Sequence, residues 1–286
     1  MMEDFDKLWN YSDVAATETV FKERLATGAD KDISYLLQLQ TQIARTYSLR
    51  GMFTEAHHVL DAVEKQLSGT AGIEHARYHL ERGRTYTSSS KAAEAKIHFE
   101  LAKSVAEKLK AEFYLIDAIH MLAIIAPPAQ SIILHQEGIV AAENSADEGA
   151  RNWFGSLYNN LGWTYFDAGE YEKALSIFLR ALQWRETKNS ALEIFLAKWC
   201  IARTLRALNR TEDALKIQLA LFEESTTTGS PDGYVHEELA ELFLLKNDRL
   251  KFPFHFEKAY ELLSAEEFLH RNEPARLERM KRLAGV

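Results

Sequence analysis

Residues 156–182 read SLYNNLGWTYFDAGEYEKALSIFLRAL. Tyr158, Leu161, Gly162 and Tyr165 fall at i, i+3, i+4 and i+7, which is one stripe of a helix. Ala174, Phe178 and Ala181 form a matching stripe on a second helix, and Asp167, Ala168 and Gly169 separate the two. Gly169 suits the left-handed residue that ends a helix. Gly162 needs another reason, because a glycine inside a helix costs about 1 kcal/mol relative to alanine. Small residues on both stripes let two antiparallel backbones approach closely, and that contact offsets the local cost. The stretch predicts a tightly packed helical hairpin.

The pattern recurs along the chain. Earlier copies have Ile43, Ala44, Tyr47, Ala56 and Leu60, then Gly83, Tyr86, Ala95, Phe99 and Ala102. Later copies have Ile201, Ala202, Leu205, Ala214 and Leu221, then Leu239, Ala240, Phe243, Phe256 and Ala259. The second-helix marker stands at 56, 95, 174, 214 and 252, with separations of 39, 79, 40 and 38. The gap of 79 is two periods, so a sixth unit is expected at 113–144, where Pro127 and Pro128 divide two helical stretches without the usual turn. Elsewhere Gly51, Ser90, Asn209 and Asn247 punctuate the hairpins, each a helix stop followed by an expected N-cap such as Thr54 or Thr211.

This chain resembles the tetratricopeptide repeat (TPR) family. The family pattern W-x2-L-G-x2-Y, then A-x3-F, is matched by Tyr158, Leu161, Gly162, Tyr165, Ala174 and Phe178, while Glu186 stands near the place of the later proline. The period exceeds the usual one by about five residues, roughly 7 Å of helix. That makes the repeat a long type, similar to those of kinesin light chains and bacterial peptide-pheromone receptors, and a stand-alone bacterial protein is expected. The resemblance implies an all-α fold: a right-handed superhelical solenoid of about six antiparallel helix pairs with terminal capping helices. The units are placed near 36–68, 75–109, 113–145, 154–188, 194–226 and 232–264. Residues 1–35 form an N-terminal cap with Phe5, Leu8 and Trp9 ahead of a helix that starts after Asp13, and 265–286 form a C-terminal capping helix with Leu277, Met280 and Leu283 on one face. TTTGSPDG at 226–233 reads as a long turn within the array.

Composition narrows the function. Glycine and proline number only 13 and 5, which favours helices over sheet. A net charge of -8 opposes the general attraction to phosphate backbones, so no nucleic-acid partner is expected. One cysteine, Cys200, excludes an intrachain disulfide and fits a reducing compartment. The start MMEDFDKLW is acidic, and the longest apolar patch, AIHMLAIIA at 118–126, is too short to span a bilayer. The expectation is a cytoplasmic protein without membrane association, a monomer rather than a dimer.

No catalytic constellation is legible: GxSxG, HExxH and a phosphate-cradling glycine loop are all missing. His75 and His79 sit at i, i+4 on one helix but lack a third ligand, so the reading is a packed His79 and a solvated His75. Glu237, Glu238 and Glu241 have the spacing of a solvated acidic face, and Cys200 that of a small buried residue. No enzymatic activity, cofactor or metal is expected.

Binding is better supported. In the family, the inner helix of each pair lines a concave groove, and the resemblance maps that groove onto Thr41, Gln42 and Arg45, then Arg77, Arg84 and Thr87. Later units give Asn159, Trp163 and Phe166, then Trp199, Arg203 and Arg206, with Glu237, Glu238 and Glu241 at the end. Asn160 could match the middle position of the carboxylate clamp of co-chaperone repeats, but Leu196 and Cys200 stand where its basic pair should follow. Arginines offer forked donors to carboxylates and tryptophans large anchoring area, so an acidic peptide is the natural ligand. If Arg203 and Arg206 are exposed groove residues, reversing their charge should change stability by less than about 0.5 kcal/mol. The alternative is that the arginines pair with glutamates of adjacent repeats and the tryptophans pack between helices. Three functional readings follow: a non-enzymatic adaptor or scaffold binding a peptide or protein segment, a ligand-responsive peptide-sensing regulator, and a helical enzyme or enzyme subunit. About 30 residues precede the repeats, fewer than the output domain of a pheromone receptor needs.

Overall fold

The computed structural model describes residues 5–28, 31–67 and 69–285, and every regular element among them is helical. The chain divides into two compact units, 1–157 and 158–286. The first holds a 3-10 turn (Phe5–Leu8), α1 (Val14–Thr27), α2 (Ile33–Leu49), α3 (Phe53–Glu64), α4 (Ile73–Ser88), α5 (Ala92–Leu109), α6 (Glu112–Ile125), α7 (Pro128–Asn144) and the short α8 (Glu148–Arg151). The division falls inside α9 (Phe154–Asp167). The second unit continues with α10 (Tyr171–Lys188), α11 (Ala191–Ala207), α12 (Thr211–Thr227), α13 (Gly233–Leu245), α14 (Lys251–Leu263), α15 (Glu267–Asn272) and α16 (Pro274–Ala284). The contribution of Phe5 to an N-terminal cap concerns a side chain outside the described ones.

One turn builds five of the hairpins. Gly51, Ser90, Gly169, Asn209 and Asn247 all have positive φ, between 55° and 76°. The residue after each donates its N–H back across the turn, as Glu170 does to the Tyr165 carbonyl at 2.9 Å and Lys91 to Tyr86 at 2.8 Å. This left-handed C-cap satisfies carbonyls that the helix end leaves open. The α6–α7 hairpin has no such residue: Ala126 and Pro127 are extended, and Pro128 opens α7 at a position where a missing N–H costs nothing.

Of the expected N-caps after these turns, Asp248 accepts from the N–H groups of Leu250 at 3.3 Å and Lys251 at 3.2 Å, at the start of α14, whereas Thr54 and Thr211 are not used. Met52, Lys91, Glu170, Arg210 and Leu250 precede the second helices, none with a side-chain cap bond. The turn already fixes the chain direction there, and Thr54 and Thr211 lie inside their helices. Further side-chain caps sit on other helices: Asp13 accepts from Ala16, Asp32 from Tyr35, and Asp232 from Tyr234 and Val235.

Packing within the hairpins follows the small-residue stripes. A Cβ on Gly162 would lie 2.4 Å from the Phe178 ring, and one on Gly83 would lie 2.4 Å from the Phe99 ring. Both rings are fully enclosed. The glycine thus makes room for the aromatic ring of its partner helix, once in each unit. In the first unit, Leu80, Ala95, Phe99, Ala102, Ala118 and Leu122 join α4, α5 and α6 in one core. In the second, Phe256, Ala259, Leu263, Leu277 and Met280 fasten α16 onto α14.

Candidate binding pocket and inner faces

In the first unit, α2, α4 and α6 project polar side chains into a pocket of about 170 Å3. Gln42, Arg45, Arg77 and Arg84 all line it, so four residues marked by the repeat frame converge on one site. Glu81 is its hub: it accepts from Arg84 Nη1 at 2.8 Å and from Arg45 Nη1 at 3.2 Å. Arg84 also donates to Asp117. Burial pushes the Glu81 pKa up, but the guanidiniums of Arg84 and then Arg45 outweigh it and hold the carboxyl below its usual value. Burial opposes the charge of Arg84 too, and Asp117 and Glu81 overcome it, so its pKa rises.

Aromatic rings wall the pocket. Trp9 donates Nε1–H to Gln42 Oε1 at 3.0 Å and lies under Arg45, 5.7 Å from ring centre to guanidinium. Arg77 donates Nε–H to the Tyr114 hydroxyl at 2.9 Å and covers that ring at 5.2 Å. Trp153 packs 5.2 Å from His120 and 5.8 Å from Phe113. Its Nε1 is buried and has no hydrogen-bond partner among the described residues. The repeat frame missed Trp9, Tyr114 and Trp153 as pocket residues because they come from the N-terminal segment, the start of α6 and the α8–α9 junction, outside the positions the frame assigns to the groove.

The inner helices of the second unit are different. Glu238, 0% exposed, takes both forks of Arg206 (Nε at 2.7 Å, Nη2 at 2.8 Å) and one of Arg203 (Nη1 at 2.8 Å). Arg203 lies over the rings of Trp199 (5.4 Å) and Trp163 (5.9 Å). Trp163 and Trp199 are 6.0 Å apart, and Trp199 donates Nε1–H to the Tyr234 carbonyl at 3.2 Å. Asn159 and Asn160 are half-buried and hydrogen-bonded to each other at 3.2 Å. Here the arginines pair with the next repeat and the tryptophans pack between helices, as the alternative reading had it.

The acidic end is therefore not a solvated face. Glu237 and Glu238 are buried, and Arg276 of α16 meets Glu237 through Nε at 2.8 Å while Arg279 meets Glu241 at 3.1 Å. Thr41 also departs from the groove: it is fully buried and donates to the Gln38 carbonyl at 2.6 Å. Thr87 is half-buried and donates to the Gly83 carbonyl at 3.1 Å.

The histidines pair differently from the spacing. His79 meets His98 on the second helix of its hairpin, Nδ1 to Nδ1 at 3.0 Å, while His75 is half-buried against Glu74 and the Gly72 N–H. His236 and His255 repeat the arrangement at 3.1 Å in the last hairpin. Among the described residues, no three His, Cys, Asp or Glu side chains are grouped for a metal. Cys200 is buried and its thiol is pushed up to about 12, chiefly by desolvation, which keeps it protonated. No helix among the described residues is long and apolar enough to cross a membrane.

Residues 155–189 match the Tetratricopeptide repeat family. No curated protein matches this sequence. Among solved structures, the apo form of RapI is similar at a TM-score of 0.74, with 13% identity over 99% of this chain and 81% of that one. A signal-transduction ATPase of the STAND class with a tetratricopeptide repeat sensor, from Pyrococcus horikoshii, is similar at 0.71, with 15% identity over 95% of this chain and 42% of that one. NprR in complex with its cognate peptide NprX is similar at 0.57, with 14% identity over 95% of this chain and 79% of that one. In fold, the chain is a tetratricopeptide-type repeat protein.

Proposed function

We propose that this protein is a non-enzymatic adaptor that binds a peptide or protein segment along its inner helices. The convergence of Gln42, Arg45, Arg77 and Arg84 on one aromatic-walled pocket carries the reading. Forked guanidiniums beside flat rings suit a peptide that presents carboxylates and apolar side chains. In the second unit, Asn159, Asn160, Trp163, Trp199, Arg203 and Arg206 remain part of the proposed surface. There the partly exposed Trp163 and Trp199 provide the contact area, and the arginines hold them in place. A sensor, in which the bound peptide changes the output of the protein, is the second reading; the similarity to NprR, whose structure holds a cognate peptide, favours it. No nucleic acid, membrane, cofactor or metal enters the proposal, which places a monomer in the cytoplasm.

Panning a random peptide library displayed on phage against the whole protein tests this. The expected result is enrichment of peptides whose affinity falls in Gln42→Ala and Arg77→Ala. Absence of enrichment, or peptides that bind both variants as well as the wild type, overturns it.

A further inference from the structure

We propose that the groove between α10 and α12, floored by α11, docks an amphipathic helix of a partner protein that carries aliphatic side chains on one face and acidic side chains beside them. The surface lies wholly in the second unit and is separate from the inner-helix residues of the proposed function.

The groove is built by helical spacing. Leu175, Leu179 and Leu182 stand at i, i+4 and i+7 along α10, and Ile217 and Leu221 at i and i+4 along α12. Ile201 and Leu205 of α11, on which both helices pack, close the bottom of a space of about 560 Å3. The floor is enclosed, since Leu175, Ile201, Leu205 and Leu221 are buried, whereas Leu179 on one rim is 49% exposed and Ala220 on the other is exposed as well.

The chemistry of the lining selects the occupant. Among the described residues, every side chain that lines the groove is aliphatic or charged, with no aromatic ring, hydroxyl or amide. An extended peptide laid there would leave backbone N–H and C=O groups without neutral partners, and burying them so is costly. A helix satisfies those groups within itself and offers side chains at the spacing that fits between two rows of leucine and isoleucine. An acyl chain would match the floor but leave Leu179 in water, whereas a helix about 10–12 Å across reaches the floor and both rims.

Charge complementarity sets the rest of the partner. Arg210 and Asp213 neutralise each other, Nη2 to Oδ2 at 2.8 Å. Lys198 and Lys216 have no hydrogen bond or ion pair among the described residues, and Glu224 is the one lining carboxylate without a cation. Two free cations against one free anion favour acidic side chains flanking the apolar stripe of the incoming helix. In a chain of net charge -8, such a helix is repelled by the protein as a whole, so this local excess helps to fix where it docks.

The test is a library of short helical peptides displayed on phage, with leucine fixed at i, i+4, i+7 and i+11 and the flanking positions drawn from Glu, Gln and Lys, panned against the full-length protein. The expected result is enrichment of Glu-flanked clones that lose at least about tenfold in affinity for Leu179→Gln, the scale of a central contact. Ala220→Glu, on the opposite rim, should act alike, and both variants replace exposed side chains and should keep the wild-type melting curve. Lys198→Gln/Lys216→Gln should weaken the same clones about threefold, as rim ion pairs do, while Gln42→Ala and Arg77→Ala leave them unchanged. No enrichment, or enriched clones indifferent to Leu179→Gln and Ala220→Glu, overturns the docking site. Clones with no excess of Glu overturn its charge preference and so the proposal. Clones weakened by Gln42→Ala or Arg77→Ala instead belong to the first unit, which overturns this groove and leaves the proposed function standing. Two further outcomes also overturn it: dodecanoate binding that is lost in Leu179→Gln with no helical clone behaving so, which makes the groove an acyl-chain site, and a dimer in sedimentation that Leu179→Gln dissociates, which gives it to a second copy.

Discussion

Arg206 of α11 and Glu238 of α13 form a two-pronged ion pair, Nε to Oε2 at 2.7 Å and Nη2 to Oε1 at 2.8 Å, 32 residues apart in sequence. Glu238 is enclosed and Arg203 shares it. Comparable links join Arg45 to Glu81 and Arg84 to Asp117 in the first unit, and Arg276 to Glu237 at the C-terminal end. Each links helices of successive repeats, so charge on these faces serves stacking. Two like charges beside buried Glu238 would leave it unpaired in low dielectric, where breaking such a pair costs about 3–5 kcal/mol. The double variant Arg203→Glu/Arg206→Glu should therefore lose about 3 kcal/mol or more, and urea unfolding checks this. A midpoint unchanged from wild type would restore the exposed-surface expectation drawn from sequence.

Gly162 and Gly169 separate two roles of glycine seven residues apart. A Cβ at 162 meets the Phe178 ring at 2.4 Å, whereas Gly169 has φ +76° and nothing within 4 Å. Gly162→Leu is expected to destabilise by about 1–3 kcal/mol or more through overpacking. Gly169→Ala should lose about 1 kcal/mol from left-handed strain alone. Chemical denaturation of the two variants in parallel is the measurement, and equal losses would contradict the close contact.

The hairpins were legible because one requirement, close approach of two helices, places small residues at fixed positions: Gly162 opposite Phe178 and Gly83 opposite Phe99 say the same thing twice. The turns were legible because few residues tolerate positive φ, and Gly51, Ser90, Gly169, Asn209 and Asn247 punctuate the pattern. The partner of each arginine was less visible. Arg45–Glu81, Arg84–Asp117 and Arg203–Glu238 are separated by 36, 33 and 35 residues, close to one repeat, so pairing each arginine with acids one period away would have found them. Trp9 and Trp153 had no such signal, because no repeat position predicts a residue contributed from a terminal segment or an inter-repeat junction.

Acid should weaken the protein through its paired histidines. Desolvation, then His98, lowers His79 to about 4, and desolvation, then His236, lowers His255 to about 4; His98 and His236 are lowered as well. Below the unfolded value of about 6.5 the unfolded chain binds protons that the folded chain refuses. The contribution of these groups is full above that pH and is lost as pH falls towards 4, by up to about 1.4 kcal/mol per pH unit for each proton taken up. Urea midpoints at neutral pH and near pH 5 should diverge, and the divergence should shrink in His79→Leu/His255→Leu. The same pH dependence in that double variant would place the acid sensitivity elsewhere.

Helix α16 is expected to be a structural part of the last hairpin rather than an appendage. Met280 is fully buried and Leu277 nearly so, both against Phe256 and Ala259 of α14. Arg276 and Arg279 pair with the buried Glu237 and the half-buried Glu241 of α13. Met280→Ala should lose about 2–5 kcal/mol, the range for truncating an enclosed side chain. Arg279→Ala removes a pair whose arginine is 41% exposed and should change stability by about 1 kcal/mol or less. The contrast separates packing from charge: both variants keep the helix-forming sequence, but only one opens the core. Thermal melting in which Met280→Ala matches the wild type would mean that α16 detaches in solution, leaving Phe256 and the Glu237 carboxylate free for a partner.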